Sequence, residues 1–446
     1  MTDVQTRSVD RSIELTKRAE AIIPGVSQLI SRRPRRAASG VSPAFAERAK
    51  GCRIWDVDGN EYVDWMSGVG PIILGYADDV VDEAVKEQIS KGSLYSILHE
   101  SEIELAEELV KIVPSAEMVR FAKGGGEACT VAVRIARGVT RRDKVLFSGY
   151  HGWHDWYLAA NLSPSSLDNH LFPGIEPIGV PSALEGTSIP FEYDNLNMLE
   201  DLLKASDGEV ACIIMEPMRS EIPSEGYLQG VRDLATRHGV VLIFDEVSSG
   251  FRIALGGVQE YVGVTPDMSV FAKAISNGYP MAAVVGSREF MAPAEQMFIS
   301  SAYWDDVVGV AAALATLKEL QRRDAVAHIA RIGEQFTARI NAAAAEAGLD
   351  AEAYGIAAHP GIRFNLEDSA KQKLVQTLFV QENAKQGIIL SAGSFFNLSH
   401  DDEALELTGN AVQESFSVIR QGLESDGLED LLESPIQQDL FRRMVR

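Results

Sequence analysis

Two side chains stand out for the chemistry they can do together. Asp245 closes the apolar run VVLIFDEV, and Lys273 follows the apolar run MSVFA 28 residues further on. A carboxylate directly after an apolar strand is costly to bury without a cationic partner. A protonated pyridine nitrogen is one such partner, and an acid that keeps it protonated makes the ring an electron sink. An Asp that caps the next helix or ligates magnesium is the alternative for FDEV taken alone. Lys273 reads in isolation as a solvated terminal lysine, but a desolvated lysine has a lowered pKa and serves as nucleophile and proton carrier.

Two further segments belong with this pair: KGGGEA at 123–128 and SGYHGWHDWY at 148–157. Gly124, Gly125 and Gly126, between a strand and a helix, leave backbone N–H groups bare at a helix N-terminus, which suits a phosphate. The run lacks the Gly-Lys-Ser/Thr ending of a nucleotide-binding loop. Tyr150 with His151 offers a flat aromatic surface and Val247 a small branched one, so a planar ring fits between them. Trp153, His154, Asp155 and Trp156 either line a substrate or pack the loop.

These residues need elements to hold them. SEIELAEELVKIV and EACTVAVRIARGV read as helices, and VRFA, KVLFSGY, EVACIIMEP, VVLIFDEV and MSVFAK as strands. Strands apolar on both faces, alternating with amphipathic helices, mark a parallel sheet covered on each side. The four chemistry-bearing segments all lie at strand carboxyl ends, where open α/β sheets bind ligands. CRIWDVDGNEYVDW reads as a hairpin turning at Asp58 and Gly59. The Pro- and Gly-rich text from 164 to 190 reads as a long irregular connection and a candidate pocket wall.

At 446 residues the chain exceeds what one core supports. The expected division is an N-terminal segment, 1–65, packing on the smaller unit or on a partner subunit, a large domain, 66–305, and a small α+β domain, 306–446. Forty-one Lys and Arg against 64 Asp and Glu give a net charge of −23, which repels polyanions, so nucleic acid is not expected as a partner. Arg32, Arg33, Arg35 and Arg36 form the one basic cluster, either an anion anchor or an interface patch. Three widely spaced cysteines show no metal-ligand spacing, and no segment has signal-peptide or membrane-spanning character. A metal-free cytoplasmic protein is expected.

The segments taken together resemble the class III aminotransferase family of fold-type I pyridoxal-phosphate enzymes, and within it the group around glutamate-1-semialdehyde aminomutase. The resemblance runs from IPGVSQLISR through GCRIWDVDGNEYVDW, MVRFAKGGGEA, GYHGW, EPMRSE, LIFDEVSSGFR and FAKAISNGYP to the AAALATL helix. It implies a seven-stranded, mostly parallel sheet with a smaller α+β domain. It implies pyridoxal 5′-phosphate as cofactor, Lys273 carrying it as a Schiff base, Asp245 on its pyridine nitrogen, Tyr150 on one ring face, Val247 on the other and the glycines on its phosphate. It further implies a homodimer with active sites at the interface, and a ping-pong exchange between a small amino donor and a carbonyl acceptor.

Departures from the family pattern carry their own expectations. The usual Ser-Gly-Thr is here Gly124, Gly125 and Gly126, and the Thr normally lent by the partner chain falls on Ala302, leaving Ser300 or Ser301 as substitutes. Two missing hydroxyl contacts at about 1 kcal/mol each lower cofactor affinity by about tenfold or more. Arg32 falls where the aminomutase-like group carries an Arg for a substrate carboxylate, Glu221 where some relatives use a Glu to regulate an Arg, and Trp153 on the substrate side. Aminomutase and racemase chemistry would use the same residues. An ATPase would need the missing loop lysine and hydroxyl, and a non-catalytic binding protein would not need the Asp245 and Lys273 pair.

Overall fold

The computed structural model describes residues 7–163, 177–218 and 221–437. Much of the long connection expected over 164–190 therefore lies outside the described residues. Along the chain come α1 (Asp10–Glu20), β1 (Ala46–Lys50), β2 (Arg53–Asp56) and β3 (Glu61–Asp64). There follow α2 (Asp79–Lys91), α3 (Glu100–Ile112), β4 (Met118–Ala122), α4 (Gly125–Thr140), β5 (Lys144–Ser148), α5 (Asp155–Leu158), β6 (Ser188–Pro190), α6 (Leu196–Ala205), β7 (Val210–Met215) and α7 (Tyr227–His238). Next are β8 (Val241–Asp245), α8 (Val258–Val262), β9 (Met268–Phe271), β10 (Ala282–Gly286), α9 (Arg288–Met291) and α10 (Val307–Arg322). The chain closes with α11 (Ala325–Ala347), β11 (Ala351–Tyr354), β12 (Gly361–Phe364), α12 (Ser369–Lys385), β13 (Ile388–Ile389) and α13 (Asp402–Glu424).

The larger unit, from Asp79 to Val326, is built on a seven-stranded sheet in the order β4-β10-β9-β8-β7-β5-β6. β10 runs antiparallel to both its neighbours, and the pairs β9–β8, β8–β7, β7–β5 and β5–β6 are parallel. Every residue of β7, β8, β9 and β10 is buried, as both-faced apolar strands demand. α4 lies across β7, β8, β9 and β10 and buries Ala128, Cys129, Val131, Ala132, Val133, Ile135 and Ala136, an apolar stripe at helical spacing.

A second unit combines the described residues up to Asp78 with those from Ala327 onward. Its four-stranded sheet has the order β1-β2-β3-β13, the expected hairpin forming β2 and β3 and the late strand β13 lying parallel beside β3. Trp65 is buried against Phe336, Phe396 and His400, and its indole N–H donates to Thr408 Oγ1 at 2.7 Å. The boundaries thus fall at 78 and 326, where the sequence put them at 65 and 305. α10 accounts for the second shift: its Ala-rich face packs on α2 and α3, so it belongs to the larger unit. Among the described residues no helix is long and apolar enough to cross a membrane.

Ile243 sits fully buried in the strand that ends on Asp245. Ile243→Ala removes methyl and methylene groups from both-sided packing and is expected to cost about 2–5 kcal/mol, read as a lowered midpoint in denaturant unfolding.

Candidate active site

The parallel register brings the strand ends into one row. Asp245, last residue of β8, pairs with Val270 of β9, and Lys273 begins the helical turn that follows β9. The strand expected to run through MSVFAK therefore stops at Phe271, and the lysine emerges in a left-handed conformation, φ 49°. A left-handed lysine carries a backbone cost that the surrounding packing must hold in place, as is common at functional sites. Its Nζ donates to Ser248 Oγ at 2.9 Å.

Asp245 is 3% exposed. Its Oδ1 accepts from the Val247 N–H at 3.0 Å, and its Oδ2 accepts from the Cys129 thiol at 3.3 Å and lies 2.7 Å from His151 Nδ1. Cys129, His151 and Asp245 gather ligating atoms within 4.8 Å. The imidazole and thiol converge on one carboxylate oxygen at hydrogen-bond distances, so they orient the acid directly. Burial, the charge of Asp245 and the hydrogen bond to it push the Cys129 thiol well up, so it stays protonated and donates.

His151 and Tyr150 come from the loop after β5, which aromatic packing fixes. The Tyr157 ring meets those of Tyr150 and His151 edge to face, and its hydroxyl donates to the Gly149 carbonyl at 2.9 Å. Trp156 Nε1 donates to Thr130 Oγ1 on α4 at 3.0 Å. The Tyr150 N–H donates to Glu216 Oε2 at 3.0 Å, and Glu216 is a buried acid directly after β7. Tyr150 is 41% exposed.

On the other side, the first turn of α4 presents the three glycines. Glu127 folds back so that its Oε2 accepts from the N–H groups of Lys123 and Gly124, half of a capping box. The N–H groups of Gly125, Gly126 and Glu127 belong to the open first turn of the helix. A Cβ on Gly125 would lie 2.9 Å from a Val247 methyl, so Val247 packs against that turn.

The structure thus gathers Asp245, Lys273, His151, Tyr150, Val247 and Gly124–Gly126 at one edge of the sheet. Ser300 and Ser301 are exposed, on a segment tied to β4 and α4 by Arg120 and Arg134 bonding the carbonyls of Ile299 and Phe298. Trp153 is 70% exposed and stacks on His154 at 4.5 Å. Glu221 is half-buried near Tyr193, whose hydroxyl bonds the Pro217 carbonyl, and its neighbours Arg219 and Ser220 lie outside the described residues. Arg32 is exposed in the smaller unit, with Nη2 donating to the Gly68 carbonyl at 2.8 Å. Sequence reasoning missed Cys129, Ser248 and Glu216. Glu216 carries the same signal as Asp245, an acid ending an apolar strand, whereas Cys129 looked like any small apolar residue of a helix face.

Residues 36–398 match the family model described as Aminotransferase class-III. The chain is 35% identical over 423 residues to the 3-aminobutyryl-CoA aminotransferase of Cloacimonas acidaminovorans, covering 93% of this chain and 98% of the relative. It is 35% identical to the glutamate-1-semialdehyde 2,1-aminomutase of Methanocaldococcus jannaschii, over 86% of this chain and 92% of the relative. Among solved structures, the PLP internal aldimine form of the FumI protein of Sphingopyxis sp. MTA144 superposes with a TM-score of 0.84 at 27% identity, covering 93% of this chain and 98% of that one.

Glu246, beside Asp245, is fully buried and accepts from the Ser249 hydroxyl and the Gln259 N–H. Burial outweighs these donors and pushes its pKa from 4.5 up to about 7. The folded protein then holds a proton that the unfolded chain has already released. Stability should therefore fall as pH rises from about 4.5 to about 7, by at most about 1.4 kcal/mol per unit. Glu246→Gln is expected to flatten that slope in denaturant unfolding followed across this range.

Proposed function

The chain belongs to the class-III aminotransferase family, and from that premise we propose that Lys273, Asp245, Tyr150, Val247 and Gly124–Gly126 are the residues that make it work. It is a pyridoxal-phosphate-dependent enzyme of the aminotransferase kind. The residues present fit that cofactor. A buried carboxylate has an imidazole, a thiol and a backbone N–H as partners, none of them a lysine or arginine. A lysine stands at the end of the adjacent parallel strand, and an open helix N-terminus lies across from both.

When bound, pyridoxal phosphate supplies an aldehyde carbon that takes up amines and a cationic ring that withdraws electrons. Asp245 holds the ring nitrogen protonated, its geometry fixed by His151, Cys129 and the Val247 N–H. Tyr150 and Val247 would hold the ring, and the N–H groups of α4 would hold the phosphate. Lys273 would supply the amine that holds the aldehyde carbon in the resting enzyme and gives it up to a donor amine. Once freed, the Lys273 Nζ, held near Ser248 Oγ, would be the base that takes the substrate's α-proton and the acid that gives it to the carbon on the far side of the linking nitrogen. The observation that supports this reading is the parallel pairing of β8 with β9, at whose carboxyl ends the acid and the lysine follow.

Substrates of this reading are a small amino donor and a carbonyl acceptor used in ping-pong order. Arg32 offers an exposed guanidinium for a carboxylate, with Glu221 and Trp153 as further substrate-side residues. The assembly is a homodimer whose sites are completed across the interface, with Ser300 or Ser301 lent to the partner's phosphate. In support, that segment carries Phe298 at 90% and Tyr303 at 73% exposure, large apolar surface of the kind subunits cover. The three buried free thiols suit the cytoplasm. Aminomutase chemistry remains the second reading, favoured by the 35% identity to the archaeal aminomutase.

Lys273→Ala is expected to abolish covalent trapping of the cofactor by borohydride and to lower kcat by about 10²–10⁴-fold, the contribution of a positioned proton-transfer group. Turnover equal to wild type would contradict the assignment. With wild-type enzyme and an amino acid donor, release of the keto product supports transfer, and its absence during turnover would point to the internal rearrangement.

A further inference from the structure

The phosphate cup of this chain lacks the two hydroxyls that its glycines displace, and the structure puts something else in the room they vacate. A Cβ on Gly126 would lie 3.4 Å from both Cε1 and Nδ1 of His154, and 3.3 Å from the Gly152 Cα. The imidazole therefore lies directly beside the first turn of α4, within contact of where a Cβ at 126 would stand. Gly152 has φ 104° and its own Cβ would come within 2.7 Å of the Gly126 Cα, so the loop reaches this close only because both positions are glycine.

His154 is held firmly there. Its carbonyl accepts from the N–H groups of Tyr157 and Leu158, and the Trp153 ring lies against its own. Nδ1 is nonetheless buried with no hydrogen-bond partner among the described residues. Leaving a buried polar atom unpaired costs about 1–3 kcal/mol, so a well-ordered one beside a ligand site calls for a ligand atom. Burial lowers the pKa of His154 against the raising effect of Glu127 and Asp155, which favours the neutral ring. A neutral imidazole donates from one nitrogen, and an oxyanion next to the N–H groups of α4 is the acceptor that matches it.

We propose that His154 takes over the role of the absent hydroxyl and donates its Nδ1–H to the cofactor phosphate. The inference rests on reading Gly124–Gly126 as the phosphate cup. It makes His154 a cofactor-binding residue whose counterpart is the missing side chain at position 126.

The test compares two ligands of the apoenzyme, pyridoxal phosphate and pyridoxal, by equilibrium titration of the aldehyde absorbance. His154→Ala should raise the Kd for pyridoxal phosphate about tenfold, the worth of one charge-assisted hydrogen bond, and leave that for pyridoxal unchanged. His154→Phe keeps a ring in the same room without a donor, and should lose the same selectivity if the alanine variant proves unstable. Wild-type affinity for pyridoxal phosphate in His154→Ala or His154→Phe, or equal losses for both ligands, would overturn the proposal. If wild type itself binds pyridoxal as tightly as its phosphate, the phosphate-cup reading fails instead.

Discussion

A carboxylate buried at the end of an apolar strand sets the terms for everything around it. A carboxylate in that position needs donors around it, because an unpaired polar group buried away from water is costly. Three elements answer. The turn after β8 returns the Val247 N–H, α4 delivers the Cys129 thiol, and the loop after β5 delivers His151. Each donor comes from a different stretch of chain, so the acid acts as the point where helix, loop and strand are registered against one another.

Parallel pairing then does for Lys273 what the donors do for Asp245. β8 and β9 run the same way and end level, so consecutive strands present an acid and an amine at one edge with no long side-chain reach. The same edge receives Tyr150 after β5, Glu216 after β7 and the glycines after β4, because β4, although reached through the antiparallel β10, runs in the same direction as β9. Backbone strain is placed at Lys273 itself, which opens a helical turn that closes at Asn277, also left-handed. Packing on every side of these fully buried strands holds the strained turn in place.

Much of this was legible in the residues. The both-faced apolar strands, the helix of α4, the hairpin at Asp58 and the positions of Asp245 and Lys273 at the carboxyl ends of two strands all follow from local pattern. What stayed hidden depends on long-range pairing. No local signal says that β10 inserts antiparallel between β4 and β9, or that β13 joins β3 from more than three hundred residues away. Ala-rich α10 gave no sign of which unit would bury it, because small residues pack equally well on either. The partners of the acid were hidden for the same reason: a cysteine on a helix face shows its role only once the sheet beneath it is known. His154 was visible only as one of several loop residues, and its place beside α4 appears only when Gly126 and Gly152 are brought together.

The central claim is that Asp245 keeps the cofactor's ring nitrogen protonated. Loading the enzyme with pyridoxal phosphate labelled with nitrogen-15 in the ring and recording the nitrogen NMR shift between about pH 6 and 9 measures this directly. The account predicts a pyridinium shift that does not move across the range in wild type and turns to that of neutral pyridine in Asp245→Ala. A neutral-pyridine shift in the wild-type enzyme, or a pyridinium signal that survives Asp245→Ala, would contradict it.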